Sequence, residues 1–219
     1  GTGVLIAFAA LLAVPVGILT GLFLTEFAGP RSRGGRALKL ALDLLQGTPT
    51  IIVALFIYGL IVIPERKETG LAGAIALAIV ILPLTARSSQ EVLQLVPTSL
   101  REAADALGVP RWRTVLTVIL PTAMGGIATG AILAVARAAG ETAPLLICNS
   151  LYEQSATQVN LFTQGIPSIP MYILFASDSS DPQAFTLGWG AAFVLLVSIL
   201  LANIGARVLL ARSRRRLLG

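Results

Sequence analysis

Five long apolar stretches constrain the fold of this chain more than any other feature of its sequence. Each is near the length of about 20 residues that an α-helix needs to cross the hydrocarbon core of a bilayer. They run from Val4 to Leu24, Leu40 to Ile63, Leu71 to Ala86, Ala123 to Cys148 and Phe185 to Ala206. Little of the 219-residue chain remains for a soluble domain. The sequence therefore predicts an all-α, polytopic transmembrane helical bundle with five spans, forming a single domain over residues 1–219.

The composition agrees with a membrane protein and excludes several kinds of site. Only 12% of the residues are charged, whereas soluble domains have about a quarter. The net charge of +5 does not indicate nucleic-acid binding, because the basic residues lie in short clusters beside apolar runs. The chain has no His and one Cys, Cys148. This excludes an internal disulfide, a metal site built on His or Cys, and a Ser/His protease; no metal or cofactor is expected in this chain.

The positions of the basic residues predict the topology. Three clusters follow the first, third and fifth stretches. They contain Arg31, Arg33, Arg36 and Lys39, then Arg87, Arg101, Arg111 and Arg113, then Arg207, Arg212, Arg214, Arg215 and Arg216. The positive-inside rule places these clusters and the C-terminus in the cytoplasm. Five crossings then place residue 1 outside the cytoplasm, so a further span is expected before it.

The loop at residues 97–121, between the third and fourth stretches, predicts a short amphipathic helix. Ser99 and Glu102 match a capping box, and Gly108 supplies a C-terminal stop. The apolar positions of this helix are Leu100, Ala103, Ala104 and Leu107. A helix of about two turns is not stable alone in water. Its apolar face must therefore be covered by the membrane surface, by the rest of the chain or by a partner, and the two alanines favour a partner's groove.

A second helix is predicted from Pro110 to Pro121, because proline suits the first helical position. Across both helices the spacing resembles the EAA loop of permease subunits in binding-protein-dependent ABC importers. The matching residues are Glu102-Ala103-Ala104, Gly108 and Leu120-Pro121, with Val118 where the family usually has Ile. The resemblance implies a coupling helix that docks on an ATPase subunit through Leu100, Glu102, Ala103, Ala104, Leu107 and Gly108.

The whole chain, from Val4 to Leu210, is similar to the core domain of this family, the MetI-like fold. Two segments further resemble its phosphate permease subunits: residues 136–145, Ala-Arg-Ala-Ala-Gly-Glu-Thr-Ala-Pro-Leu, and residues 46–52, Gln-Gly-Thr-Pro-Thr-Ile-Ile. Thr50 stands where Ser is usual. Ala54 stands where Gly is common, so packing at that position is expected to differ slightly. The resemblance implies import of inorganic phosphate across a bacterial plasma (inner) membrane.

Arg137 and Glu141 are charges inside the fourth stretch, and their spacing predicts that one helix face carries both. A structural alternative is a self-neutralising pair. Such a pair contributes only a few tenths of a kcal/mol, against a penalty of about 2.5 to 3.5 kcal/mol for each buried charge. We therefore interpret Arg137 as facing the substrate pathway, where its planar guanidinium suits phosphate oxygens.

The resemblance implies that Arg137, Glu141 and Thr142 line this pathway. It also makes Arg87 a candidate second basic residue near the cytoplasmic exit, although Arg87 equally fits a purely topological role in its basic cluster.

The chain has no Gly-x-x-x-x-Gly-Lys-Ser/Thr loop, so ATP and Mg are expected to bind to a partner, and this chain is not an enzyme. The resemblance implies a complex, embedded in membrane lipid, with a related permease subunit (PstC type), two copies of an ATPase subunit (PstB type) and an extracytoplasmic phosphate-binding protein (PstS type). The alternatives left open are a permease of the same fold for molybdate, sulfate or an amino acid, and a passive channel or structural membrane protein.

Overall fold

The computed structural model describes residues 1–29, 32–149 and 160–218, with side chains described as far as residue 208. The described residues form α-helices and no β-strand, which confirms the predicted all-α class. Nine helices are described in these ranges. They are α1 Thr2–Phe27, α2 Arg33–Gly47, α3 Thr50–Glu65, α4 Gly70–Gln94, α5 Thr98–Ala106, α6 Arg111–Ala138, α7 Ala143–Cys148, α8 Ile169–Ser177 and α9 Pro182–Leu218.

Within the described residues, four helices are long and apolar enough to cross a membrane: α1, α4, α6 and the Pro182–Val208 part of α9. The bent pair α2 and α3 supplies a fifth crossing if the two are counted together. The number of spans therefore agrees with the five apolar stretches. The helix that contains the third stretch, α4, is longer than the stretch itself. It continues past Ala86 to Gln94 as an amphipathic segment.

The second stretch forms a bent pair of helices and not one straight helix. Helices α2 and α3 meet at a bend of 105°. Pro49 lies at the break, and the residue before it, Thr48, has extended backbone (φ −78°, ψ 130°). Proline disfavours helical backbone in the preceding residue, which explains why α2 ends there.

The fourth stretch also differs from its prediction, because helix α6 joins the expected Pro110–Pro121 helix to the fourth span without a break. A π-helical turn, Val115–Ile119, ends two residues before Pro121. Such a turn accommodates the backbone hydrogen bond that proline cannot make. At its other end α6 stops at Ala138, and the rest of the predicted span, from Ala143, forms the separate short helix α7.

Helix α4 lies at the centre of the bundle. In the most apolar 18-residue window of its span, 61% of the residues are buried, against 6% for the peripheral α9. Helix α1 packs along α4 with small residues at the contact. A Cβ atom on Gly17 would lie 2.8 Å from the Cβ of Thr85, and one on Gly21 would lie 2.7 Å from the carbonyl oxygen of Ala86. These glycines allow the two backbones to approach closely.

Hydrogen bonds between helix ends define the two ends of the bundle. At one end the Thr2 hydroxyl accepts a hydrogen bond from the backbone of Ile169 (2.8 Å), and the backbone N–H of Gly70 donates to the carbonyl oxygen of Gln164 (2.9 Å). At the other end the C-terminal ends of α1 and α4 meet α5. Of the predicted basic clusters, Arg31 and the side chains of Arg212, Arg214, Arg215 and Arg216 lie outside the described residues.

The connection between Asn149 and Ala184 contains a helix, α8, that the sequence did not predict. Residues 150–159 of this connection, including Glu153, lie outside the described residues. The buried Asn149 side chain donates to the carbonyl oxygen of Ile166 (2.8 Å) and accepts from its N–H (2.7 Å). This pair of hydrogen bonds attaches the later part of the connection to the end of α7.

Candidate coupling surface and substrate pathway

Helix α5 begins immediately after Pro97, so the predicted Ser99–Glu102 capping box is wrong. Pro97 occupies the N-cap position with φ −55° and ψ 136°, and no side chain caps the helix there. The fixed φ of proline favours this entry into a helix. Ser99 therefore lies within the first turn, where its hydroxyl cannot serve as the N-cap.

The C-terminal stop of α5 is confirmed at Gly108, which has a positive φ of 67°. The N–H of Val109 donates to the carbonyl oxygen of Ala104, and the N–H of Gly108 donates to that of Asp105, each at 3.0 Å. This pair of bonds is a Schellman motif, and glycine adopts its left-handed residue without a steric penalty. The ending of α5 is therefore fixed by local backbone geometry.

Most of the apolar surface around α5 faces outward. Of the predicted apolar face only Ala104 is buried, while Ala103 is exposed and Leu107 is 81% exposed. We call the large exposed apolar side chains of this region the docking surface; they are Leu95, Leu100, Leu107 and Trp112. The described part of the chain does not cover them, which leaves the surface available to a partner or to the membrane.

Sequence reasoning missed the strongest polar contact of α5, an ion pair between Arg101 and Glu26 at the end of α1. Arg101 Nη2 lies 2.6 Å from Glu26 Oε1, and Arg101 Nε lies 3.3 Å from Oε2. The Glu26 hydrogen bond raises the pKa of Arg101 above its ordinary value, so the guanidinium stays charged. Only one signal in the sequence pointed to this pair: Glu26 is an acidic residue placed directly after an apolar span.

The structure separates Arg137 and Glu141 more than the helical spacing predicted. Helix α6 ends at Ala138, so Glu141 lies in the following turn and the two do not share a helix face. Arg137 Nε and Glu141 Oε1 are 4.0 Å apart, and their side chains are 66% and 19% exposed. The prediction that one helix face carries both residues is wrong. The pair is a loose contact at the end of α6, with the guanidinium facing outward.

The other two predicted pathway residues have different surroundings. Thr142 is partly buried in the turn after α6, and its carbonyl oxygen accepts the N–H groups of Leu145 and Leu146 at the start of α7. Arg87 lies in α4, where it forms an ion pair with Asp43 of α2. The structure thus brings Thr142 next to Glu141 along the turn, while Arg87 is held by a separate acidic partner that the sequence did not indicate.

The second signature segment surrounds the bend between α2 and α3. Ala54, which follows it, is fully buried, and its carbonyl oxygen accepts a hydrogen bond from the Cys148 thiol at 3.3 Å. A small residue at this position allows α3 to pack closely against α7.

A large groove lies between α1, α6 and α9, with a volume of about 610 Å³. Its lining is mostly apolar and includes Ile6, Val135, Ala139, Leu195 and Ile199. Such a lining does not suit an anion, and Arg137 is not part of it. Among the described residues, no three His, Cys, Asp or Glu side chains are grouped so as to hold a metal ion.

Comparison with known proteins identifies relatives over almost the whole chain. Residues 13–216 match the family described as "Binding-protein-dependent transport system inner membrane component". The phosphate transport system permease protein PstA of Yersinia pestis is 37% identical over 98% of this chain and 71% of the relative. The corresponding PstA 1 of Mycobacterium tuberculosis (strain ATCC 25618 / H37Rv) is 37% identical over 99% of this chain and 70% of the relative.

Two solved transporters have a similar fold. An inward-facing structure of the MetNI methionine ABC transporter has a TM-score of 0.73 at 18% identity, covering 96% of this chain and 90% of that one. An amino acid ABC transporter has a TM-score of 0.62 at 20% identity, covering 97% of this chain and 90% of that one. Identities this low establish the shared fold and nothing about the substrate.

Proposed function

The chain belongs to the family of binding-protein-dependent transport system inner membrane components, and on this premise we propose that it carries inorganic phosphate across the inner membrane. The observation that carries this proposal is the 37% identity to a phosphate transport permease over 98% of the chain. The family is not a catalytic one, so the chain is a multi-pass transport subunit and not an enzyme.

The family works with an extracytoplasmic binding protein and an ATPase, and the specific partners are part of this proposal. They are a second permease of the PstC type, two ATPase subunits of the PstB type that bind ATP and Mg, and a phosphate-binding protein of the PstS type. The exposed docking surface supports an ATPase partner, because Leu107 and its apolar neighbours have no cover in the described chain.

Energy reaches this subunit through α5 in the proposed mechanism. Closure of the ATPase subunits moves α5, and the motion shifts the spans between outward-open and inward-open states. Leu100, Ala103 and Leu107 supply exposed apolar surface for docking, and Glu102 supplies an exposed charge beside it. Ala104 and Gly108 act differently, because Ala104 is buried and Gly108 fixes where the helix ends.

The proposed substrate contact is the outward-facing guanidinium of Arg137. Its contact with Glu141 is long, at 4.0 Å, and the guanidinium is mostly exposed, so a phosphate oxygen can displace the carboxylate at low cost. Thr142 follows directly and offers a hydroxyl to the same anion. A conducting site must bind weakly enough to release its ion. One exposed arginine fits that requirement, and high-affinity selection is left to the binding protein.

Arg87 remains a candidate for the cytoplasmic exit. Because Asp43 already neutralises it, a passing phosphate would have to compete with that carboxylate. The end of the bundle that carries α5 is the proposed cytoplasmic side, with the C-terminus, and residue 1 is on the extracytoplasmic side. Arg101 and Arg111 lie at this end, which agrees with the positive-inside rule.

The proposal is tested by ATP-dependent uptake of radiolabelled phosphate into vesicles that contain the complete complex. We expect uptake that requires both ATP and this chain, with little competition from sulfate or molybdate. Vesicles without ATP and vesicles lacking this chain are the controls. Equal competition by sulfate would refute the substrate, and uptake without ATP would refute the importer.

A further inference from the structure

A buried ion pair joins the proposed coupling helix to the first span. The Glu26 side chain is 1% exposed and the Arg101 side chain is 22% exposed. Two hydrogen bonds of 2.6 and 3.3 Å connect the guanidinium to both carboxylate oxygens. The two residues are 75 positions apart in the sequence, so the pair is a tertiary contact and not a by-product of local helix geometry.

The same guanidinium also holds the end of α4. Arg101 Nη1 donates to the carbonyl oxygen of Val96 (2.8 Å), and Nη2 donates to that of Leu93 (3.1 Å). Carbonyl groups in the last turn of a helix have no intrahelical partner, and a cation there also interacts favourably with the helix dipole. Arg101, which lies on α5, therefore contacts α1, the end of α4 and the α4–α5 link at once.

Glu26 lies in a π-helical turn, Phe23–Phe27, at the end of α1. Because its carboxylate is buried, separating it from Arg101 would leave a charge without compensation in a dry site. The contact is therefore expected to persist while neighbouring parts move. The link from α4 to α5, Leu95 to Pro97, is only three residues long, so it keeps α5 beside the end of α4, and the Arg101 side chain adds contacts across it.

We propose that Arg101 is a positioning residue that makes α5, the end of α1 and the end of α4 one rigid joint. This inference rests on the proposed function. Displacement of α5 by the ATPase then moves α1 and α4 together and is not lost in bending of the α4–α5 link. The close approach of α1 and α4 at Gly17 and Gly21 lets these two helices respond as one body.

The test uses Glu26→Gln in the complete complex reconstituted in vesicles, with phosphate imported and ATP hydrolysed measured on the same preparation. Glutamine keeps the volume and one hydrogen-bond acceptor but removes the charge. We expect phosphate imported per ATP to fall about tenfold. The ATPase activity and the amount of bound ATPase should stay close to wild type.

A matched control is Glu91→Gln, which makes the same change at an exposed acid near the same end of α4 and should leave the ratio unchanged. Arg101→Lys keeps the charge but cannot reach all four acceptors, so its ratio should fall between those of wild type and Glu26→Gln. Equal ratios for wild type and Glu26→Gln would overturn the proposal. So would loss of the bound ATPase from both Glu26→Gln and Arg101→Lys complexes, because the pair would then serve assembly.

A distance measurement separates a joint from a merely stabilising contact. Spin labels at Asp105→Cys on α5 and Leu11→Cys on α1, both exposed positions, report the relation between the helices in a Cys148→Ala background. We expect one narrow distance distribution in the wild-type joint, with and without ATP, and a broad one in Glu26→Gln. A narrow distribution in Glu26→Gln would refute the rigid joint.

Failure of this inference is distinguishable from failure of the proposed function. If the wild-type complex imports phosphate and Glu26→Gln has an unchanged ratio, only the joint is wrong. If the wild-type complex imports no phosphate, the function is wrong, and the spin-label distances still decide whether the joint is rigid.

Discussion

Two arginine–glutamate pairs in this chain carry the same charges in opposite surroundings. Arg101 and Glu26 are 2.6 Å apart, and the carboxylate is almost fully buried. Arg137 and Glu141 are 4.0 Å apart, and the guanidinium is mostly exposed. The first pair joins elements far apart in the sequence, whereas the second links the end of one helix to the turn that follows it.

The difference follows from the cost of removing charge from water. A buried pair stays associated because separation leaves an uncompensated charge, and Arg101 has further carbonyl partners that fix its geometry. An exposed pair contributes little and exchanges partners readily. The buried pair therefore suits a permanent connection, while the exposed pair suits contact with a transient anion.

The largest effect is expected for transport in Arg137→Gln. Loss of a charged hydrogen-bond donor at the proposed anion contact should reduce phosphate uptake about 100-fold. Membrane insertion and complex assembly should stay normal, since the side chain is mostly exposed. Uptake by reconstituted vesicles and subunit ratios on a gel check both parts. Wild-type uptake would contradict the assignment of Arg137 to the pathway.

The loss of each glutamate should lower stability by a different amount. Glu26→Ala leaves Arg101 without its carboxylate partner and should lower the free energy of unfolding by about 3 kcal/mol. Glu141→Ala removes a loose contact to a mostly exposed guanidinium and should lower the free energy of unfolding by less than about 0.5 kcal/mol. Denaturant unfolding of the purified chain in detergent micelles measures both. Equal losses for the two variants would refute the contrast.

A smaller effect is expected at the end of α5. Gly108→Ala forces a side chain into left-handed backbone and should lower the free energy of unfolding by about 1 kcal/mol. Gly34→Ala is the matched control, because it also adds a methyl group in open space, but within helix α2, where alanine is favoured. The same unfolding experiment compares them, and an equal or larger loss for Gly34→Ala would contradict the account.

The smallest effect is expected for stability in Leu107→Ser, which should change the free energy of unfolding of the isolated chain by less than about 0.5 kcal/mol. The side chain is 81% exposed and contributes little to the bundle. The affinity of the Leu107→Ser chain for the ATPase should nevertheless fall about tenfold, because Leu107 belongs to the docking surface. Co-purification at graded ATPase concentrations measures this. Unchanged affinity would place the docking site elsewhere.

The sequence could predict the parts of the fold that depend on the length of an apolar run or on a residue with special backbone preferences. The stretches at α1 and α9 were long enough to identify directly. The glycine at position 108 predicted the end of α5, and the structure has left-handed backbone there. Neither the 105° size of the bend at Pro49 nor the division after Ala138 was predicted, since apolar length does not reveal how a chain turns inside the membrane.

Some contacts of the candidate site were predicted and others were missed, for a similar reason. Residue spacing identified Arg137 and Glu141 as neighbours, but it assumed a continuous helix that the structure does not have. The pairs that hold the bundle, Arg101 with Glu26 and Arg87 with Asp43, join residues far apart in the chain. No local pattern encodes such tertiary contacts, so they required the folded structure.

The two long-range ion pairs also bear on how the chain enters the membrane. In each pair the acidic residue precedes its arginine, Glu26 before Arg101 and Asp43 before Arg87. During synthesis each carboxylate has therefore left the ribosome before its partner. Each arginine can therefore pair with its carboxylate as soon as it is synthesised, so α4 and α5 can join the earlier helices while the chain is still entering the membrane.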